Sequence, residues 1–275
     1  MDSNSYTLSL NNKLSVRMYT DTRPRYLETA SIQKGLVLVL DGKELNEEGV
    51  GFGLPIVKYS DKTFFSRQAK VSFKQTNNCY IFTKTYTLDT ISLKKFGKST
   101  YIDDNLYSLL QHAFDRLYLR YKKFWALFNK LMELRQLAAI KTEFVAVKPR
   151  GEVTVIYECT PTRITVKADF SKISLLKCNE VLVLNEQGSN IFSKYTDTSG
   201  LTLLSDKIGA WDIVTAQKAT LHNPDISFTM QSSSKAKLVR GWENTRNRFS
   251  WTGLSYSMHP HNGIFEYSIC IDFNG

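Results

Sequence analysis

Two of the chain's four tryptophans, two of its four histidines, three arginines and a glutamate fall between Arg240 and His261. A saccharide site asks for flat aromatic faces against the apolar C–H side of a pyranose. It also asks for side chains that exchange hydrogen bonds with hydroxyls. Trp242, Glu243, Arg246, Arg248 and Tyr256 supply both kinds of group and are the candidate ligand-binding residues. His259 and His261 flank Pro260 in a turn, and an imidazole there has the proton affinity for acid–base work. Two apart in an extended chain they point to one side, yet no third ligand lies nearby, so no metal site is expected. Trp251 alternates with Phe249 and reads as core rather than as a binding platform.

The second candidate is the run from Glu47 to Pro55, in which Glu47 and Glu48 precede glycines at 49, 51 and 53. A phosphate-cradling loop would need a helix opening directly after it, whereas Pro55 and Ile56–Tyr59 continue as strand. The glycines therefore read as a bulged or tightly curved strand against another backbone. The alternative is a glycine-lined ligand rim with Glu47 or Glu48 as acid, base or hydroxyl acceptor. No nucleophile elbow, Walker loop, HExxH helix or kinase signature is present, and no cofactor is expected.

These residues must be held by strands. Tyr6–Leu10 and Leu14–Tyr19 alternate in polarity across Asn11-Asn12, and Leu36–Leu40 ends at Asp41-Gly42, a strong hairpin dipeptide. Thr, Tyr, Phe, Val and Ile dominate the later segments, with turn residues at Pro149–Gly151, Glu186–Gly188, Asn223-Pro224 and Asn262-Gly263. The pattern predicts about sixteen to eighteen strands. One stretch differs. From Asp104 to about Lys141 there is no Pro or Gly, and the apolar period becomes that of a long or kinked amphipathic helix. Its polar face carries His112, Arg116, Arg120, Lys123 and Lys130, an anion-binding alternative for nucleic acid or an acidic partner. Leu119, Leu127 and Leu134 interrupt that face, as an oligomer contact would require.

Length and composition frame the choice. The chain has 275 residues, 42% hydrophobic and 23% charged, with a net charge of +10, so it is a basic, folded protein rather than a disordered one. Neither an apolar run of membrane length nor an amino-terminal secretory pattern is seen, and the expectation is a soluble cytoplasmic protein. Cys79, Cys159, Cys178 and Cys270 are widely spaced and are expected as free thiols. The fold class expected is mainly β, a large two-sheet antiparallel sandwich over residues 1–275 carrying the helix at about 104–141. Two β domains, 1–100 and 142–275, are the alternative.

By strand number and length, the chain resembles the galactose-mutarotase-like supersandwich, a fold shared with sheet domains of polysaccharide lyases and hydrolases. That resemblance implies a carbohydrate-binding or carbohydrate-modifying protein and a saccharide ligand. It carries no catalytic motif onto any residue of this sequence.

Overall fold

The computed structural model of the chain describes residues 4–25, 30–60, 63–76, 79–89, 91–95, 142–146, 148–245 and 249–273. The helix expected over 104–141, with His112, Arg116, Arg120, Lys123 and Lys130, lies outside the described residues, as do Arg246 and Arg248. Among the described residues no α-helix occurs, and no helix is long and apolar enough to cross a membrane. All four cysteines are unpaired.

The chain begins with β1 (Ser5–Ser9), β2 (Leu14–Tyr19), β3 (Arg23–Arg25), β4 (Ala30–Ile32), β5 (Val37–Leu40) and β6 (Lys43–Glu44). β7 (Gly51–Tyr59), β8 (Thr63–Thr76), β9 (Cys79–Asp89) and β10 (Ile91–Lys95) follow. Next come β11 (Thr142–Ala146), β12 (Glu152–Thr160), β13 (Arg163–Asp169), β14 (Cys178–Gln187), β15 (Lys194–Asp197), β16 (Thr202–Leu204) and β17 (Ala210–Ile213). The last strands are β18 (Lys218–His222), β19 (Ile226–Gln231), β20 (Lys237–Thr245), β21 (Phe249–Met258) and β22 (Ile264–Phe273).

Fourteen strands form one hydrogen-bonded order, β16-β15-β18-β19-β22-β13-β12-β9-β8-β7-β14-β21-β20-β17. The strands from before residue 100, β9-β8-β7, form one block within it, flanked on both sides by strands from after 142, since β9 pairs with β12 and β7 with β14. Laid flat, that order would be about 60 Å across at ~4.8 Å per strand. Its two end strands, β16 and β17, are nevertheless joined by residues 205–209, which reach at most about 20 Å. The order must therefore fold over into two layers.

The turnover happens at β8. Thr63 and Phe64 pair with β7, and from Phe65 onward the strand pairs with β9, with a register shift between Ser66 and Gln68 just after the change of partner. A bulge of this kind bends a strand from one layer into the next. One layer is then β7-β14-β21-β20-β17, and the other runs from β8 to β16. Phe52 of β7 meets Phe228 of β19 edge-on at 5.2 Å, and Tyr256 of β21 meets Phe265 of β22 at 5.0 Å. Alternation supplies these faces. Along β12, Val153, Val155, Tyr157 and Cys159 are buried in phase, as are Ile164, Val166 and Ala168 of β13.

Between the layers stands a column of buried polar groups. Tyr157 donates its hydroxyl proton to Gly53 O at 3.0 Å, and Tyr86 lies 3.1 Å from the Tyr157 hydroxyl. A Cβ at residue 53 would sit 2.7 Å from the Tyr157 ring, and φ there is +78°, so only glycine fits. Asn185 accepts from Gly53 N and from the Tyr267 hydroxyl, and donates to Leu254 O. Lys84 occupies an inward position of β9 with no exposure and donates to Tyr19 O and Lys34 O, each at 2.8 Å. It thereby pins the amino-terminal segments to the layer carrying β9. Burial drives the Lys84 amine down from 10.5 to about 7, against the attraction of Asp21. Burial pushes the Tyr86, Tyr157 and Tyr267 hydroxyls well above 10.

A four-stranded sheet, β1-β2-β5-β6, adds Leu14, Val16, Met18, Leu38 and Leu40 to the same core. β10 and β11 form a separate two-stranded sheet, paired antiparallel from Ile91↔Ala146 to Lys95↔Thr142.

Candidate functional site

The carboxyl end of β14 and the facing ends of β20 and β21 bring two of the candidate residues together. Gln187 of β14 lies opposite Thr252 of β21, which lies opposite Trp242 of β20. One step further along the same face, Ser250 lies opposite Asn244, and Ser189 continues the register from β14. Strand alternation thus presents Gln187, Ser189, Ser250, Thr252, Trp242 and Asn244 to one side.

A hydrogen-bond chain ties this face to Glu47. Ser250 Oγ donates to Glu47 Oε2 at 2.8 Å, so the proton on the 2.6 Å contact between the two serine hydroxyls comes from Ser189. The Ser189 backbone N–H also donates to Ser250 Oγ, at 3.2 Å, which fills that oxygen's capacity. Trp242 Nε1 donates to Ser189 O at 3.2 Å, fixing the indole against the same loop. Lys34, itself buried, donates its amine to Glu47 O at 3.1 Å, where the Glu47 backbone holds φ +38°. A Cβ at residue 188 would sit 2.9 Å from the Glu47 carboxyl carbon, so any larger residue there would push the Glu47 side chain aside.

The outer part of this cluster reaches solvent. Glu47, Asn190 and Asn244 are exposed and Trp242 is half-buried, while Ser189 and Ser250 are buried beneath them. Asn244 donates to Asn190 Oδ1 at 2.6 Å, pairing two amides at the rim. Gln187 has both side-chain amide atoms buried without a hydrogen-bond partner among the described residues, and Asn46 has its Oδ1 so. Each such atom costs about 1–3 kcal/mol, and Gln33 Oε1 and Arg67 Nε, outside this cluster, are unmatched in the same way.

The other candidates lie elsewhere. Glu48 is half-buried and takes no part in the hydrogen-bond chain. Glu243 projects from the opposite face of β20, where it accepts from Trp251 Nε1 at 3.1 Å. Tyr256 is buried between the layers and donates to Gln231 O at 2.5 Å, so its hydroxyl is committed to the core. His259 and His261 follow the far end of β21, about 30 Å from Ser250 at ~3.3 Å per residue. His261 packs on Phe170 with ring centres 5.6 Å apart. Among the described residues no group of His, Cys, Asp and Glu is placed to hold a metal ion.

Sequence reasoning singled out Glu47 and Trp242 but missed Ser189, Ser250, Asn190 and Asn244. The one local signal was Gly188 directly before Ser189. Two depressions lie away from this rim. One, of about 480 Å³, lies between Asn12, Asp41, Asp225 and Phe273, and the other, of about 400 Å³, is lined by Leu10, Gln75, Cys79 and Cys159.

No family model matches the chain, and no curated protein sequence matches it. Solved structures with a similar fold include an α-N-acetylgalactosaminidase from Bifidobacterium bifidum, solved as a GalNAc complex. It shows 7% identity and a TM-score of 0.49 over 98% of this chain, which spans 36% of that enzyme's length. A protein from Synechocystis is similar at 8% identity and TM-score 0.42, covering 98% of this chain and 95% of its own. A galactose mutarotase-like protein from Clostridium acetobutylicum is similar at 8% identity and TM-score 0.39, covering 98% and 94%. The chain is thus similar to galactose mutarotase-like and other carbohydrate-active β-sandwich structures. At such scores and identities no residue role passes from them to this chain.

Proposed function

We propose that this chain binds a saccharide at the rim formed by Glu47, Trp242, Asn190 and Asn244. The reading is carried by the hydrogen-bond chain that joins Glu47 to the Trp242 loop through Ser250 and Ser189. Vicinal hydroxyls of a pyranose each offer one proton and accept others. A carboxylate beside a pair of amides meets them with acceptors on one side and donors on the other. The half-buried indole supplies the apolar surface against the ring's C–H groups. Because these groups are anchored by buried serines and by Lys34, little ordering cost falls on the ligand. The proposal is binding, with Glu47 as the carboxylate that contacts ligand. His259 and His261 are too distant to act on the same sugar.

Titration of a panel of mono- and trisaccharides, followed by backbone NMR shifts, tests this. Shifts confined to residues 46–48, 187–190 and 242–250, with affinity reduced at least tenfold in Glu47→Gln and Trp242→Ala, are expected. A panel that moves none of these resonances overturns the proposal, as do variants that bind as well as the parent.

A further inference from the structure

We infer that the end of the sandwich where three turns meet binds a free amino acid with an apolar side chain. The site is the depression of about 480 Å³ beside Phe273, and it shares no residue with the rim.

The hollow begins where the core runs out. Along β22, Phe265, Tyr267, Ile269 and Ile271 are buried in phase, and Phe273 continues that phase. Phe273 is nevertheless 39% exposed, and it lines the depression together with Leu40 at the end of β5. An aromatic ring and an aliphatic side chain therefore give the hollow an apolar wall.

Three turns set charges around that wall. Asp41 holds φ +47° in the turn between β5 and β6, and Gly42 follows at +80°. The Asp41 backbone N–H donates to Lys13 O at 2.9 Å, which ties this turn to the one between β1 and β2. There Asn11 Oδ1 accepts from the Lys13 backbone N–H, also at 2.9 Å. Asp225 belongs to the turn between β18 and β19, and its N–H donates to Asn223 Oδ1 at 3.0 Å. Its neighbour Ile226 lies opposite Phe273 in the ladder, so Asp225 stands next to the exposed ring. Backbone bonds thus fix the turns. The side chains of Lys13, Asp41 and Asp225 are exposed and make no hydrogen bond or ion pair among the described residues.

The occupant follows from these charges. One ammonium and two carboxylates, none neutralised within the fold, surround an apolar wall. A neutral sugar would take hydration from all three and return no opposite charge. A simple amine would answer the carboxylates alone, and would approach a chain of net charge +10. A carboxylic acid would answer Lys13 and meet Asp41 and Asp225 as like charges. A zwitterion has no net charge and answers both signs, its ammonium at the carboxylates and its carboxylate at Lys13. Its apolar side chain then covers Phe273 and Leu40. The volume of the hollow falls within the roughly 300–1,000 Å³ of small-molecule pockets.

The experiment records backbone NMR shifts of the full chain during titration with five probes. These are L-phenylalanine, L-leucine, phenethylamine, 3-phenylpropionate and N-acetyl-L-phenylalanine amide. The inference expects at least one of the two amino acids to move the resonances of residues 12–13, 40–42, 225–226 and 273. The three probes that lack one or both charges should bind about tenfold more weakly. Asp41→Asn keeps a side chain that tolerates the left-handed turn while removing the charge. That variant, Asp225→Asn and Lys13→Gln should each weaken amino-acid binding about five- to tenfold. Resonances unmoved by both amino acids overturn the inference. So does an equal response to phenethylamine or to 3-phenylpropionate, or a set of variants that all bind as the parent does. None of these results touches the rim proposal, which is read from other resonances.

Discussion

The polar column between the layers and the polar chain at the rim are built from similar parts and have opposite fates. In the column, Tyr157, Asn185, Tyr267 and Lys84 spend their hydrogen bonds on backbone and on one another, out of reach of water. At the rim, Ser250 and Ser189 are equally satisfied, but their chain ends on an exposed carboxylate and an accessible indole. Residue type does not separate the two regions. What separates them is whether the last member of the chain meets solvent, so one fixes the fold and the other can meet a ligand.

The most severe break in that comparison is Asn185→Ala. Gly53 N–H and the Tyr267 hydroxyl lose their acceptor and Leu254 O its donor, all inside the sandwich. Urea denaturation should show a loss of about 3–5 kcal/mol, and a loss below 1 would mean the column is not structural.

Next comes pH. Lys84 is held near 7 in the fold and rises to 10.5 when released, so between these values the unfolded chain binds the extra proton. Stability should therefore increase by about 2–4 kcal/mol as pH goes from 7 toward 10. Above 10 it should fall, because the buried tyrosines keep protons that the unfolded chain gives up. Lys84→Met should flatten the rising limb, and an unchanged limb would place its origin elsewhere.

Smaller effects belong to the rim. Ser250→Ala removes the link between Ser189 and Glu47 at a cost of about 1 kcal/mol, since the freed carboxylate turns to water. Glu47→Gln should change stability by less than about 0.5 kcal/mol, because its side chain is exposed, while saccharide affinity falls. Thermal melts of the two variants measure both, and a large loss in Glu47→Gln would make the rim a second structural column.

Much of this frame was readable in the amino acids. The alternation of Val153, Val155, Tyr157 and Cys159 marks a strand with one buried face, and Asp41-Gly42 does form the tight turn, with φ of +47° and +80°. Trp251 is buried, but not in the core between the layers: it lies over Gly241 and against Trp211 on the outer face, which its alternation with Phe249 did not reveal. Glu47 and Trp242 stand out by type, but their connectors do not. Ser189 and Ser250 are ordinary serines until a strand pairing 61 residues long in sequence sets them 2.6 Å apart. The converse error is instructive too. Arg240 to His261 look clustered in sequence, yet β21 is fully extended and carries His259 away from Trp242 by the length of the strand. Lys84 was also there to be noticed, since it keeps step with Phe82, Tyr86 and Leu88.

The ladder of β10 and β11 has an engineering consequence. Lys95 and Thr142 are paired neighbours, with α-carbons about 5 Å apart, so the sandwich has a ready-made splice point. Any cassette whose own termini lie side by side at that spacing can be seated there without asking the host strands to move.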